Sequence, residues 1–501
     1  MILKQFPEKQ EFLTLAKTCN VIPVCTQILA DTETPVSILQ KFFSKEKESF
    51  LLESVEGGER WGRYSFMGVS AFGTIKVFSQ DVEIQTKNET RKITHNNDPL
   101  DVIRRFSKGF IPAQIHELPR FWSGFTGYFT YEMVSFFEDI PVSLPHDTPY
   151  AHFIIPDEMI IFDNIKQTLT CLKICYIQNG DNPAGSDHET IFAQAQNDLG
   201  RMLDIIQAPF METQPVFASD VQLEPETPAQ DYMKGVEKIK GHIVEGDIFQ
   251  AVYSQPFSCR AQVDPILIYR AQRYINPSPY MFFMNFKDII IAGSSPETMV
   301  RLENDIATLR PIAGTRPRGK TEQEDRKLAD ELLNDEKERA EHVMLIDLGR
   351  NDLGRVAKAG TVQVTDTMVI ERYSHVMHLV SNITCDMKKE VDAYDLFKAT
   401  FPAGTLSGAP KIRAMEIISK LEKPPRRVYG GAAGYISFTG NMDFAITIRT
   451  AVMENDKLTV QAGAGIVYDS DPEKELLECR NKAKSVEMAL KLALSNNSGG
   501  R

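Results

Sequence analysis

Apolar runs separated by turns of two to four residues fill the second half of this chain, and they restrict it to antiparallel sheet. PYMFFMNF is followed by Lys287-Asp288, IIIAG, ETMVRLE, Asn304-Asp305 and IATLRPI. A second series runs YISF, Thr439-Gly440-Asn441, FAITIRTAVM, Glu454 to Lys457 and LTVQAGAGIVY. Turns this short fold a strand back beside its predecessor, whereas a parallel connection needs a crossover of a dozen residues or more. The helical pattern AQDYMKGVEKIKGHIVEG opens this half and others such as LNDEKERAEHVMLIDLGRND lie between the hairpins, so the class is α+β rather than regular βαβ winding. Near the N-terminus, SFLLESV, RYSFMGV and GTIKVFS read as successive antiparallel strands, punctuated by Gly57-Gly58 and Gly68.

The organisation along the chain follows from composition. A polar loop, QNGDNPAGSDH, leads into the helix TIFAQAQNDLGRMLDIIQ. Residues 208–227, rich in Pro, Thr and acid, read as a linker between an N-terminal region (1–207) and a second region (228–495), and 496–501 as a flexible tail. The net charge of −12 argues against nucleic acid or an anionic membrane as the main partner. MILKQFPEKQEF has no signal pattern and no apolar run reaches membrane-spanning length, so a cytoplasmic protein is expected. The seven cysteines are odd in number and lack paired spacing, which favours buried thiols over disulfides or zinc.

Two candidate helices carry the same acidic spacing: LNDEKERAEHVMLIDLGRND with Glu338 and Glu341, and DPEKELLECRNKAKSVEMAL with Glu475 and Glu478. A spacing of three puts each pair on one helix face, and two such faces together offer the oxygen ligands that Mg2+ prefers. Each pair alone is equally a solvated helix face. PIAGTRPRGK follows a strand and offers Gly314-Thr315, a close backbone approach beside a hydroxyl, or simply a basic surface loop. TFPAGTLSGAPKIRAMEII reads as a strand end entering a helix, with Ser407 or a neighbour as cap and Pro410 in the first turn, and it is either an anion site or an ordinary turn. In QAGAGIVYDSDP, Gly463-Ala464-Gly465 ends a strand as exposed backbone or as a bend. AITIRT sets Arg449 on the preceding strand as a planar grip for a carboxylate. His375 and His378, three apart on a strand-like segment, face opposite sides and cannot share a metal, which leaves His378 for proton transfer or a polar contact. Glu297, after the apolar strand IIIAG, is a carboxyl placed to have a raised pKa and to act as an acid. Together these features favour a metal-dependent enzyme acting on a small polyanion.

The motifs GDIFQAVYSQ, NPSPYMFF, GSSPE, PIAGTRPRG, IDLGRNDLGRV, HVMHLVS, FPAGTLSGAPK and QAGAGIVYDSDP, in this order, closely resemble the chorismate-utilising enzymes, and within them the anthranilate synthase large subunits (component I). The resemblance covers nearly the whole chain. It implies antiparallel sheets packed as a sandwich with helices outside, and a Mg2+-dependent lyase that converts chorismate and ammonia to anthranilate and pyruvate, the first committed step of tryptophan biosynthesis. It further implies that Glu341 and Glu478 bind the metal directly and Glu338 and Glu475 through water. Tyr429, Arg449, Gly314, Thr315 and the backbone of Gly463, Ala464 and Gly465 would hold carboxylates. Glu297 would help the C4 hydroxyl depart, and Thr405 and His378 would line the ring, His378 assisting the later elimination.

Relatives divide at two positions. Isochorismate and salicylate synthases carry a Lys base where this chain has Gln250, and aminodeoxychorismate synthase component I commonly has Lys in place of Ala313. Both departures point to anthranilate synthase over that alternative. A second alternative, a non-catalytic tryptophan-binding relative, would lack a metal Glu or Arg449, and all are present. Ser54, in LLES, and Pro279-Tyr280-Met281 match the family's segments for feedback-inhibiting L-tryptophan, although as residues alone they read as a strand and a tight apolar turn. No cysteine stands in the Gly-x-Cys-x-Gly turn of a glutaminase, so a separate glutamine amidotransferase (component II) is expected to supply ammonia, in a heterotetramer of two of each.

Overall fold

Two strands far longer than the usual five or six residues, Tyr64–Val77 and Ala151–Asp163, pair with each other and belong to two sheets at once. The computed structural model describes residues 1–55, 62–177, 187–209, 221–373 and 376–495. The register of the long pair shifts three times between Gly68 and Gly73, and such bulges bend a ladder. On one side of the bend the first sheet continues through Ser49–Glu53, Tyr280–Asn285, Ile289–Ser295, Thr450–Glu454, Lys457–Ile466 and Gln250–Arg260. Its other flank is Thr168–Tyr176, Val21–Leu29 and Ile2–Phe6. On the other side of the bend the second sheet runs through Gly124–Phe129, Ala432–Ser437, Met442–Ile446, Thr298–Glu303, Ile306–Leu309 and Val376–Asp386. Every one of these pairings is antiparallel, as the short turns require.

The strand alternation decides what packs on each face. Phe282, Met284 and Ile291 of the first sheet share one apolar cluster with Phe125, Phe129, Val300 and Phe444 of the second, which is the sandwich interior. Their neighbours Met281, Phe283, Ile290 and Ala292 point the other way, onto Tyr232, Tyr269 and Leu490 of the helices Ala229–Val244, Pro265–Ile275 and Pro472–Ser495. Full burial of each large side chain contributes about 1.5–3 kcal/mol, so both faces of the first sheet stabilise the fold. Helices Ala393–Thr400 and Glu336–Gly354 pack against the second sheet, completing the α+β sandwich expected from the sequence.

Four local expectations change. RYSFMGV and GTIKVFS are one continuous strand: Gly68 does not end it, because a Cβ there would lie 2.2 Å from the Phe50 ring. Gly57, Gly58, most of the QNGDNPAGSDH loop, residues 210–220 of the linker and the tail 496–501 lie outside the described residues. The stretch before the 411–421 helix is entered from the helix Ala393–Thr400 rather than from a strand, and Ser407 donates back to the Ala403 carbonyl at 3.1 Å instead of capping. PIAGTRP is neither loop nor turn but the strand Ile312–Pro317, bulged at Gly314 opposite His378.

The fourth difference sets the site. The apolar runs IIIAG–ETMVRLE and FAITIRTAVM are not continuous ladders. Each breaks and passes from one sheet to the other, at 296–297 and at 447–449. The breaks lie side by side: Ile446 N donates to Glu297 O at 3.0 Å, and Ser294 N to Arg449 O at 3.3 Å. Arg449 is therefore held in a strand break with φ of 50°, a left-handed conformation that costs about 1–2 kcal/mol for a residue with a Cβ.

One buried carboxyl braces the segment leading to Tyr429. Both oxygens of Glu132 accept from the Arg427 N–H, at 3.0 and 3.2 Å, and Tyr131 N donates to Arg427 O at 2.8 Å. Burial pushes the Glu132 carboxyl up from 4.5 to about 7. With the folded value above the unfolded one, the stability this proton contributes is complete below pH 4.5 and lost as pH rises through about 7. Glu132→Gln, which cannot ionise, should therefore gain up to about 3 kcal/mol relative to the parent between pH 4.5 and 7.5. Urea midpoints at the two pH values check this, and a difference between parent and variant that stays flat with pH would count against it.

Candidate active site

A cleft of about 490 Å³ opens at the paired strand breaks. Glu297 and Arg449 line it from the two breaks, and the helices Glu336–Gly354 and Pro472–Ser495 bring Glu338, Glu341, Glu475 and Glu478 to its other side. The first glutamate helix starts later than the sequence pattern suggests. Asp335 ends the helix before it and caps the next, accepting from Lys337 N and Glu338 N at 3.1 Å each. That places Glu338 in the first turn, where Arg316 reaches it at 3.4 Å.

The two central groups push each other's titration. Burial raises the Glu297 carboxyl, while the Thr405 hydroxyl, donating to Oε2 at 2.9 Å, and the Arg449 and Lys482 cations pull it back. Burial lowers the Arg449 guanidinium, and the Glu297 charge opposes that. A carboxyl raised by desolvation and still in contact with a hydroxyl is suited to giving a proton to a leaving oxygen.

The carboxylates at the far side behave as a crowded anionic set. Burial first, then Glu338, raises Glu341, which the Gln250 amide partly offsets; burial first raises Glu475, and the Glu478 charge adds to it. A hard divalent cation would relieve that repulsion, so the donor set fits Mg2+. The four do not, as they stand, bring three ligand atoms within 4.8 Å of one another; among the described residues the one group that does is His242, Glu245 and Asp247, with one imidazole nitrogen and two carboxylate oxygens. Lys482 holds Glu478 at 2.8 Å and the Gly463 carbonyl at 2.9 Å.

Small residues shape the remaining wall. Gly314 has φ of 65°, and a Cβ there would lie 2.7 Å from Leu332 and 3.0 Å from Glu338, so only glycine allows the bulge. On the straight strand Lys457–Ile466, Gly463 leaves room for the Tyr429 hydroxyl and Gly465 for the Gln250 amide, each of which a Cβ would meet below 3.0 Å. Ala464, between them, turns its methyl into the helix-facing core and does not line the cleft. His378 lies near Gly314 O at 3.0 Å and Thr315 Oγ1 at 3.1 Å through Nδ1; with Nδ1–H donating to that carbonyl, the lone pair sits on Nε2. His375 lies outside the described residues.

The structure thus gathers Glu297, His378, Thr405, Gly314, Thr315, Tyr429, Arg449, Gly463, Gly465 and the four glutamates around one space. Lys482, Lys337 and Gln461 also line it and were not anticipated. Lys482 had a readable signal, since it stands four residues after Glu478 on the same helix face. Ser54, Pro279, Tyr280 and Met281 meet elsewhere, in a second, smaller cavity with Arg120, Tyr435 and Asp443. The Tyr280 hydroxyl donates to Asp443 at 2.9 Å and accepts from Thr298, the residue after Glu297, at 3.1 Å.

The family model for chorismate binding enzymes matches residues 48–488. Anthranilate synthase component 1 of Aquifex aeolicus is 44% identical over 493 residues, covering 97% of each chain. The Acinetobacter calcoaceticus component 1 is 45% identical, over 95% of this chain and 96% of its own. The crystal structure of anthranilate synthase component I from Streptococcus pneumoniae superposes with a TM-score of 0.73 at 36% identity, covering 92% of this chain and 99% of that one.

Because the Thr405 hydroxyl favours the ionised form of Glu297, Thr405→Val should move the Glu297 titration to higher pH, by about the 1.5–3 kcal/mol that a hydrogen bond to a charged group is worth. Carboxyl-selective NMR titration reads this directly. A shift to lower pH would show that the hydroxyl acts on the protonated form instead.

Proposed function

The chain belongs to the chorismate binding enzymes, and on that premise we propose that it carries the anthranilate synthase reaction: chorismate and ammonia become anthranilate, pyruvate and water, opening tryptophan biosynthesis. The observation that carries this reading beyond the family is the neutral amide of Gln250 at the cleft wall, tied to Glu341, with Ala313 also lining the cleft. Neither residue can deprotonate water or attack the ring. The site therefore suits a nucleophile that needs no base, and ammonia is one.

The chain's own residues account for the steps. Arg449, Tyr429 and the backbone beside Gly463 and Gly465 hold the substrate's carboxylates, and Thr315 adds a hydroxyl donor. Ammonia adds at C2 while the ring electrons shift and the C4–O bond breaks. Glu297, whose carboxyl burial shifts toward the protonated form, gives a proton to the leaving hydroxyl, which departs as water. The C2 proton is then removed, with His378 Nε2 as the base, and the C3–O bond breaks to release pyruvate and leave the aromatic amine. Glu341 and Glu478 would bind Mg2+, with Glu338 and Glu475 behind them, and the bound cation would hold and neutralise the ring carboxylate.

The ammonia supply points to a partner. Burial pushes Cys171, Cys175 and Cys479 up to about 12 and Cys259 and Cys385 up to about 11. Thiols held that high are poor nucleophiles for glutamine hydrolysis. A separate glutamine amidotransferase subunit, in a heterotetramer of two of each in the cytoplasm, fits this need. No helix among the described residues is long and apolar enough to cross a membrane. The cavity of Ser54, Pro279, Tyr280 and Met281 suits L-tryptophan as a feedback inhibitor. Its segment continues to Asn276, against Arg449, and through Tyr280 and Thr298 to Glu297.

The purified chain with chorismate, Mg2+ and ammonium at raised pH should produce anthranilate fluorescence, and with glutamine alone it should not. Glu297→Gln should lower kcat by about 10²–10⁴-fold. Accumulation of isochorismate or aminodeoxychorismate instead would overturn the assignment. For regulation, substitution of Ser54 or Met281 should relieve inhibition by tryptophan, and undiminished inhibition in both variants would remove the effector site from this cavity.

A further inference from the structure

Asn276 closes the helix Pro265–Ile275 beside the Arg449 break. Its Oδ1 accepts from Arg449 Nη1 at 3.2 Å, the one hydrogen bond that the guanidinium makes among the described residues. A guanidinium has five N–H donors, so most of its donor capacity faces the cleft. The backbone is fixed as firmly, because Gln272 Nε2 at 3.2 Å and Ser294 N at 3.3 Å both donate to the Arg449 carbonyl.

The surrounding bonds also decide which way the Asn276 carboxamide turns. Ser294 Oγ directs its single proton to the Asn276 backbone carbonyl or to Ser278 Oγ at 3.0 Å, and either way only lone pairs are left for the Asn276 Nδ2, which lies 2.9 Å away. Ser278 Oγ, at 3.3 Å from the same carbonyl, belongs to this lock. With the NH₂ committed to Ser294, the carboxamide oxygen is the atom that meets Arg449.

We infer that Asn276 is a positioning residue for substrate: it turns the Arg449 guanidinium into the cleft through a neutral acceptor and so leaves the positive charge for the substrate's carboxylate. This rests on the reading of the cleft as the site of a carboxylate substrate gripped by Arg449. An aspartate here would be closer in shape than an alanine, but it would form a bidentate pair with the arginine and neutralise it. An alanine would leave the charge intact and only its aim lost.

The two effects separate in kinetics measured with chorismate, Mg2+ and ammonium. Asn276→Ala should raise the KM for chorismate by about tenfold with kcat within about threefold of the parent. Asn276→Asp should raise KM further, on the order of 50-fold or more. Ser294→Ala, which only frees the carboxamide to turn, should raise KM by a few-fold and keeps the test open if an Asn276 variant melts early. A parent that makes no anthranilate would sink the proposed reaction and this inference with it. With an active parent, an Asn276→Asp variant equal to or better than Asn276→Ala, a loss confined to kcat, or unchanged KM in Ser294→Ala and whichever Asn276 variants fold would overturn the positioning role alone.

Discussion

Two neighbouring strands that leave one sheet for the other at the same place are the constraint on which this structure depends. At 296–297 and 447–449 the ladders stop, and a carbonyl of each break accepts from the strand end beside the other, Glu297 O from Ile446 N and Arg449 O from Ser294 N. Buried peptide groups must be paired, so two breaks side by side are tolerated where a single one would leave orphans. The same geometry brings an acid and a base residue into one desolvated space. Glu297 is pushed up and Arg449 is pushed down by burial, and each is restrained by the other's charge. The left-handed backbone of Arg449 is strain kept in place by packing on both sides, which is where strain commonly serves a site.

The chemistry is defined as much by missing atoms as by present ones. Gly314, Gly463 and Gly465 clear space that a Cβ would fill, and Gln250 and Ala313 withhold a base and a nucleophile. The anionic side of the cleft works in the opposite way, by crowding. Burial and the neighbouring glutamates raise Glu341 and Glu475, a repulsion that Lys482 and Lys337 relieve in part and a bound cation would relieve further.

Much of this was legible in the residues, for physical reasons. Two-residue turns specify antiparallel pairing locally, and the Glu-x-x-Glu spacing specifies a helix face, so the class and the acidic side of the site could be read. Helix spacing could equally have shown Lys482, four residues beyond Glu478. What could not be read was where a strand changes sheets. FAITIRTAVM has the apolar content of one strand, and nothing local distinguishes a break at Arg449 from a straight run, because the break is imposed by the neighbouring ladder at Glu297. Gly68 misleads for a similar reason. Its missing side chain answers to Phe50 across the sheet and not to a turn in its own chain.

The two long strands that serve both sheets bear on how the molecule assembles. Gly124–Phe129 lies between Ala151–Asp163 and Ala432–Ser437, and Ser49–Glu53 lies between Tyr64–Val77 and Tyr280–Asn285. Each early strand is thus left with one edge unpaired until a segment made much later arrives. A chain emerging from the ribosome would carry open, apolar strand edges through most of its synthesis, the condition under which slow closure and sticking compete. The knitting that aligns the two strand breaks therefore makes the newborn chain dependent on prompt completion, or on a chaperone to shield it until the last strands are in place.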